Sequence, residues 1–297
     1  MSKIKQALVA VFIHLLFCVP AIAEVATKHG LLWALSKQGQ ETSYLFGTMH
    51  AEDERILAAL DHVTPKVNEV QCLALELDLN PTVAALVLQA MVFNDGRQLK
   101  DVLDVDFFEQ LVAVMQKEYG LGEMQLNAMK PWAVMMTLSA PKPKTGMFLD
   151  RALYLEAVKN NHRIVGLETP SEQISVMDDM SLSNQVALLE TTLANFDQMP
   201  EMFEKLVDAY ITQDLAKMEW LYEEYTKDNE VQIVKELTER LLNTRNELMA
   251  ERMAGLLDEQ ACFVAVGALH LPGEQGLIKK MQQFGYSVKP VTIDFKL

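Results

Sequence analysis

Apolar residues along this chain fall into two patterns. Short runs at Leu31–Leu35, Thr42–Phe46, Cys72–Leu77, Arg163–Leu167, Ala261–Val266 and Ser287–Ile293 are bounded by polar or glycine residues. Runs of this length predict strands. Longer stretches with apolar residues three and four apart predict helices. These cover Glu54 to Val70, with Pro65 as a dividing point, then Pro81–Phe93, Val105–Tyr119, Pro131–Leu138, Met147–Lys159, several more from Ser183 to Leu257, and Glu274–Phe284 before Gly285. Pro141–Gly146 reads as a loop.

One plan occurs twice. Strand Thr42–Phe46 runs into Gly47-Thr48-Met49-His50, a helix and strand Cys72–Leu77; strand Ala261–Val266 runs into Gly267-Ala268-Leu269-His270, a helix and strand Ser287–Ile293. The pattern predicts an α/β fold in which duplicated β-loop-α units form a mainly parallel sheet, with a large helical middle segment.

The N-terminus carries Lys3 and Lys5, an apolar run from Ala7 to Pro20, and Ala21-Ile22-Ala23 before Glu24. That order predicts a signal peptide over residues 1–23, leaving 24–297 as one domain. The run is shorter than the roughly 20 residues a spanning helix needs, and His14 and Pro20 interrupt it. Bulky Phe17 before Cys18 argues against lipidation. The expected product is periplasmic or secreted, with no stable membrane anchor after cleavage.

Losing Lys3 and Lys5 takes the formal charge of −15 two units further negative. The acids are spread over the predicted helices, and with no basic face nucleic acid is excluded as a partner. Cys72 and Cys262 remain in the mature chain. An exported protein can oxidise them, so a disulfide and two buried thiols both stay open.

No H-E-x-x-H, G-x-S-x-G, Walker loop or G-x-G-x-x-G is present. What remains is a set of polar groups at predicted strand ends: His50, Glu76, Glu168 and His270. Open α/β sheets bind ligands beyond the carboxyl ends of their strands. A glycine before each histidine lets the backbone turn sharply out of the strand, so that the imidazole reaches the crevice. Imidazole nitrogens with carboxylate oxygens suit a divalent ion such as Mn, Co, Zn or Fe, and a carboxylate can take a proton from activated water. One Gly-x-x-His is a weak signal, since a satisfied histidine can end any strand. Two in matching contexts reinforce each other.

Asp78 points to the same side as Glu76, and Ser171 is a possible N-cap after Glu168. Lys130-Pro131-Trp132 reads as a helix start with a tryptophan core anchor. Arg245-Asn246 lies in a helix reading from about Val231 to Leu257. There Arg245 is either a surface residue or an arm that clamps a substrate carboxylate or orients Glu168. His29, His62 and His162 default to surface positions.

Ordered blocks run through nearly the whole mature chain: Tyr44-Leu-Phe-Gly-Thr-Met-His50, Leu75-Glu-Leu-Asp78, Lys130-Pro-Trp132, Gly166-Leu-Glu-Thr169 with Glu172-Gln173, Arg245-Asn246, and Val264-Ala-Val-Gly-Ala-Leu-His-Leu-Pro-Gly273. In these blocks the chain resembles the TraB/GumN family, which is related to TIKI-type secreted metalloproteases and, more distantly, to an erythromycin esterase/ChaN-like superfamily. The resemblance implies a divalent-metal protease site with His50, His270 and Glu76 as metal ligands, and Asp150 matches a family acid. It says more about the site than about the substrate.

The resulting expectation is an exported metal-dependent hydrolase, a peptidase, acting on a peptide or small-molecule substrate. Glu76, Glu168 and Arg245 are its expected catalytic groups. The alternatives are a non-catalytic periplasmic protein that sequesters a peptide, metal or haem in the same crevice, and an envelope assembly factor with a structural metal. The oligomeric state stays open.

Overall fold

The structure, a computed structural model, describes residues 28–142, 144–227 and 231–295, so the expected signal peptide lies outside the described residues. Strands β1 (Leu32–Ser36), β2 (Ser43–Thr48), β3 (Cys72–Leu75), β4 (Arg163–Gly166), β5 (Phe263–Gly267) and β6 (Ser287–Val291) form one six-stranded sheet in the order β4-β3-β5-β2-β1-β6. The four strands β4, β3, β5 and β2 are parallel to one another. Every residue of β2 and β3 is buried, as is all of β5 except half-buried Gly267. Such unbroken apolar runs are what a parallel strand covered on both faces requires. The edge strands β4 and β6 are partly exposed, and Pro290, which cannot donate to a ladder, lies on β6.

β1 pairs antiparallel with both β2 and β6. The intervening residues 37–42 can close a hairpin but cannot carry the crossover that a parallel neighbour needs. The two Gly-x-x-His units also interleave instead of forming separate halves. The first crosses over β5 to reach β3, and the second crosses β2 and β1 to reach β6. As a result β2 and β5 are neighbours, with Thr48 opposite Gly267. The local plan is repeated, while its placement in the sheet is not.

Cys72 and Cys262 form a disulfide with a Cα–Cα distance of 4.5 Å, and so the choice left open by the sequence resolves to the bonded pair. Each cysteine directly precedes the paired residues Leu73 and Phe263 of β3 and β5, which puts the two side by side.

The helices are α1 (Glu54–Leu57), α2 (Leu60–Asn68), α3 (Pro81–Ala90), α4 (Val105–Tyr119), α5 (Glu123–Ala128), α6 (Pro131–Ser139), α7 (Leu149–Lys159), α8 (Pro170–Asp178), α9 (Leu182–Ala194), α10 (Met199–Ile211), α11 (Leu215–Thr226), α12 (Val231–Thr238), α13 (Thr244–Glu259) and α14 (Leu277–Gln283). Among the described residues no helix is long and apolar enough to cross a membrane. The main core lies around the sheet, and two smaller apolar clusters hold the helical middle together.

Several boundaries differ from the sequence reading for local reasons. The break after His50 falls at Ala58–Ala59, and Pro65 lies inside α2. Thr169, not Ser171, caps α8: its hydroxyl accepts from Glu172 N–H while the Glu172 carboxylate accepts from Thr169 N–H. This reciprocal capping box, with Pro170 in the first helical position, satisfies orphan donors that Ser171 is too late to reach. The stretch from Val231 to Leu257 is not one regular helix, because a π-helical turn, Glu239–Asn243, separates α12 from α13.

Candidate functional site

The site lies at the carboxyl ends of β2, β5, β3 and β4. Its two glycines act by close approach and not by a left-handed turn, since neither has a positive φ. A Cβ on Gly47 would sit 2.7 Å from Leu271 Cδ1 and 3.0 Å from Ala268 Cα, in the turn that follows β5. A Cβ on Gly267 would sit 3.3 Å from Glu76 Oε1 and 3.5 Å from His270 Cδ2. The glycines therefore let the two motifs and Glu76 pack together.

His270 is buried in a short 3₁₀ turn, Ala268–His270. Its Nδ1 lies 2.6 Å from Asn246 Oδ1, while Asn246 Nδ2 donates to the Gln275 carbonyl at 2.9 Å. Because the Asn246 NH₂ is committed to Gln275, its oxygen faces the ring, and Nδ1 is the protonated nitrogen. Nε2 then carries the lone pair, and it stands 3.7 Å from Glu76 Oε1. Burial pulls the His270 pKa down to about 4, with Arg245 adding to the fall and Glu76 opposing it, so the ring is neutral near neutral pH.

Glu76 follows β3 directly. Oε1 accepts from Gly267 N–H at 2.6 Å, and Oε2 accepts from Arg245 Nη2 at 2.6 Å and Gln173 Nε2 at 3.2 Å. Burial alone would raise its pKa, but His270, Arg245, the Gly267 amide and His50 together outweigh that and hold the carboxyl at about 2.

Glu168 follows β4 and is buried, with its N–H donating to the Glu76 carbonyl at 2.8 Å. Arg245 meets it with two parallel bonds, Nε to Oε1 at 2.8 Å and Nη2 to Oε2 at 2.6 Å. Arg245 is thus no surface residue: it is clamped between Glu168 and Glu76, and Nη1 donates to the Leu241 carbonyl at 3.1 Å. Leu241 belongs to the π-helical turn, a feature often found at functional sites. That turn immediately precedes α13, whose second and third residues, Arg245 and Asn246, each hold a different part of the site.

His50 lies at the mouth, with its side chain 56% exposed, and its Nδ1 is 3.6 Å from Oδ2 of buried Asp150. Its ring packs against Phe148, with centroids 4.8 Å apart. Asp150, in the first turn of α7, accepts from Thr48 Oγ1 at 3.0 Å through Oδ1, but its buried Oδ2 has no hydrogen-bond partner among the described residues. Burial raises the Asp150 pKa, against the pull of His50.

The structure therefore brings His50, Glu76, Glu168, His270, Arg245 and Asp150 to one end of the sheet. The donor set suits a divalent cation: two imidazoles and two carboxylates, with one carboxylate oxygen buried and unpartnered. Their arrangement is two pairs, His270–Glu76 and His50–Asp150. Among the described residues no three His, Cys, Asp or Glu groups converge closely enough to hold a metal ion. Of the three expected ligands, Glu76 is engaged by the Gly267 amide and Arg245, His270 faces it at 3.7 Å, and His50 stands out at the mouth.

Three other polar residues lie outside these pairs. Asp78 accepts from Asn80 Nδ2 at 2.9 Å and belongs to the loop before α3. Lys130 and the indole N–H of buried Trp132 both bond Asp178, which anchors the start of α6. Of the three histidines expected at the surface, His29 is exposed, while His62 and His162 are half-buried in their elements' packing. Asn246, Thr48 and Gln173 were not read as site residues. All three lie inside the blocks that carry the family resemblance, Thr48 within the first Gly-x-x-His motif, Gln173 after Glu172 and Asn246 after Arg245, but with no sign of their contacts.

The profile described as the TraB/PrgY/gumN family matches residues 31–290. Among curated proteins, the chain is 24% identical over 312 residues to "Metalloprotease TIKI1" of Xenopus tropicalis, covering 88% of this chain and 61% of that protein. It is also 24% identical over 313 residues to "Metalloprotease TIKI2" of Xenopus tropicalis, covering 88% and 60%. With "Metalloprotease TIKI1" of Danio rerio the identity is 24%, over 88% and 63%. The chain thus spans about three-fifths of the length of the curated relatives it matches. No solved structure matches it significantly.

Proposed function

Since this chain belongs to the TraB/PrgY/gumN family, we propose that it is an exported metal-dependent hydrolase acting on peptides, with His50, His270 and Glu76 as metal ligands. The observation that carries this reading is the 3.7 Å approach of His270 Nε2 to Glu76 Oε1, beside the unpartnered Asp150 Oδ2. The metalloprotease relatives supply the reaction class by likeness. The Cys72–Cys262 disulfide supports export, because such bonds persist in oxidising compartments, periplasmic or extracellular.

A divalent cation, when bound among these donors, supplies Lewis acidity toward water and a substrate carbonyl. The chain's own residues do the positioning. Asn246 holds His270 in the tautomer that presents Nε2, as carbonyl partners commonly do for ligating histidines. Arg245 keeps Glu76 ionised and fixes Oε2, leaving Oε1 facing His270. Glu168 has both oxygens on Arg245, so it acts as a positioning residue for that guanidinium. Among the described residues Asp150 Oδ2 accepts from no donor, and it is the carboxylate oxygen free to accept a proton from an incoming water.

A second reading, a protein that binds a peptide, metal or haem in this crevice without turnover, draws on the saturation of Glu76 and Glu168 by Arg245. One experiment separates the two. Purified mature protein supplied with Mn, Co or Zn is incubated with a mixed peptide library, and new termini are read by mass spectrometry. The hydrolase reading expects metal-dependent cleavage that His270→Ala abolishes. Metal uptake with no cleavage for any metal would instead establish the binding reading.

A further inference from the structure

A cavity of about 520 Å³ opens beside the site, between α11, α12, the π-helical turn and the loop that follows His270. Two lining residues tie it to the reacting end of the sheet. Leu269 immediately precedes His270, and Asn246 is the residue that holds His270 Nδ1. An occupant therefore sits one side chain away from that imidazole. The volume is that of a small-ligand pocket.

The walls are mainly apolar, with Tyr222, Val234, Leu242, Leu269 and Pro272 contributing. One carboxylate stands among them. Glu219 is half-buried against the loop, so close that a Cβ on Gly273 would come within 3.2 Å of its Oε1. Among the described residues Glu219 has no hydrogen-bond or close ion-pair partner, and Lys28 and Glu223 act on it only from further off. The other charged linings are better provided for or lie outside. Lys227 pairs with Glu224 and Glu274 with Lys279, while Glu223 and Lys235 are exposed at the rim. Burial raises the Glu219 pKa, the mark of a carboxylate short of a counter-charge.

An apolar slot whose one half-buried acid is unpaired among the described residues fits a long aliphatic chain ending in a cation better than it fits a metal ion, which needs several donors, or a purely apolar side chain, which would leave that acid unpaired. We propose that this cavity is a specificity pocket for a lysine or arginine side chain of a peptide substrate. The stem packs on Tyr222, Val234, Leu242 and Leu269, and the charged head bonds Glu219. The proposal rests on the hydrolase reading for the peptide's fate, but binding itself is measurable without cleavage.

The test uses fluorescent peptides identical except at one position, which is Lys, Arg, norleucine or Glu. Binding to the intact, metal-free protein is measured by anisotropy, and cleavage is measured separately with metal. The expected result is that Lys and Arg peptides bind about tenfold or more tightly than the norleucine peptide. Glu219→Gln should remove that discrimination, and Glu219→Lys should turn the preference toward the Glu peptide, with circular dichroism confirming the fold of each. Equal binding of the Lys and norleucine peptides, or a preference that survives Glu219→Gln, would overturn the pocket. Discrimination in binding without cleavage keeps the pocket and removes the hydrolase reading; cleavage without discrimination does the reverse.

Discussion

Nε2 of His270 faces Oε1 of Glu76 across 3.7 Å, and both atoms carry lone pairs because their hydrogens and partners are committed elsewhere. An imidazole nitrogen and a carboxylate oxygen in that relation are a donor pair that suits a divalent cation. The account makes Asn246 responsible for the imidazole's half of this arrangement. Asn246→Ala should weaken divalent-metal affinity by about 10- to 100-fold, the usual cost of losing an outer partner of a ligating histidine. Competition against a chromophoric chelator reads this directly, and an unchanged affinity would remove the tautomer argument.

Arg245 joins two buried carboxylates, Glu76 and Glu168. Arg245→Met leaves both without their cation and should cost about 3–5 kcal/mol of stability in urea unfolding of the metal-free protein. Adding Glu168→Gln to that variant should recover part of the loss, because one uncompensated charge is then gone. A cost below about 1 kcal/mol, the range of exposed pairs, would contradict the clamped geometry.

Acid should act on stability in two windows. Folding lowers the His270 pKa from 6.5 to about 4, so the unfolded chain takes up the proton first as pH falls. Stability is therefore lost from pH 6.5 down to about 4 and then levels off for this group. Glu76, held at about 2 against an ordinary 4.5, adds a loss that begins below 4.5 and continues toward 2. Urea midpoints of metal-free wild type and His270→Asn across this range check the sign. The variant should lose the upper window and narrow the lower one, because the His270 contribution to Glu76 goes with it, and identical profiles would sink the assignment.

The disulfide closes a loop of 190 residues between neighbouring strands β3 and β5. Constraining the unfolded chain over such a length contributes about 2–5 kcal/mol. Reduction, or the Cys72→Ala/Cys262→Ala pair, should lower the urea midpoint accordingly while near-native circular dichroism persists, since the parallel ladder does not depend on the bond. Complete loss of secondary structure in the reduced protein would show that the sheet relies on it.

Much of the sheet was legible because β2, β3 and β5 are buried on both faces and read as unbroken apolar runs. The polar residues that follow β2, β3 and β5, His50, Glu76 and His270, were visible for the same reason, and Glu168 stood out at the end of the short β4 run. The mainly parallel direction was legible from the alternation of strands and helices, but the antiparallel setting of β1, which follows from the short 37–42 connection, was not. The π-helical turn was hidden because apolar spacing continues across Glu239–Asn243. Pairing of Cys72 with Cys262 depends on β3 lying beside β5, a tertiary fact no local pattern contains. Asn246 looked like an ordinary helix residue, because its role exists only where α13 passes His270. The glycines of both motifs were noticed, but their use in close packing required knowing that β2 and β5 are neighbours.

The central claim is that the two Gly-x-x-His motifs serve one metal site. Elemental analysis of wild type, His50→Ala, His270→Ala and the double variant, each equilibrated with the same divalent ion, tests it most directly. The account predicts a single equivalent in the wild type that either single substitution removes or severely weakens. Metal retained by the double variant, or single variants that each lose only their own fraction, would contradict it.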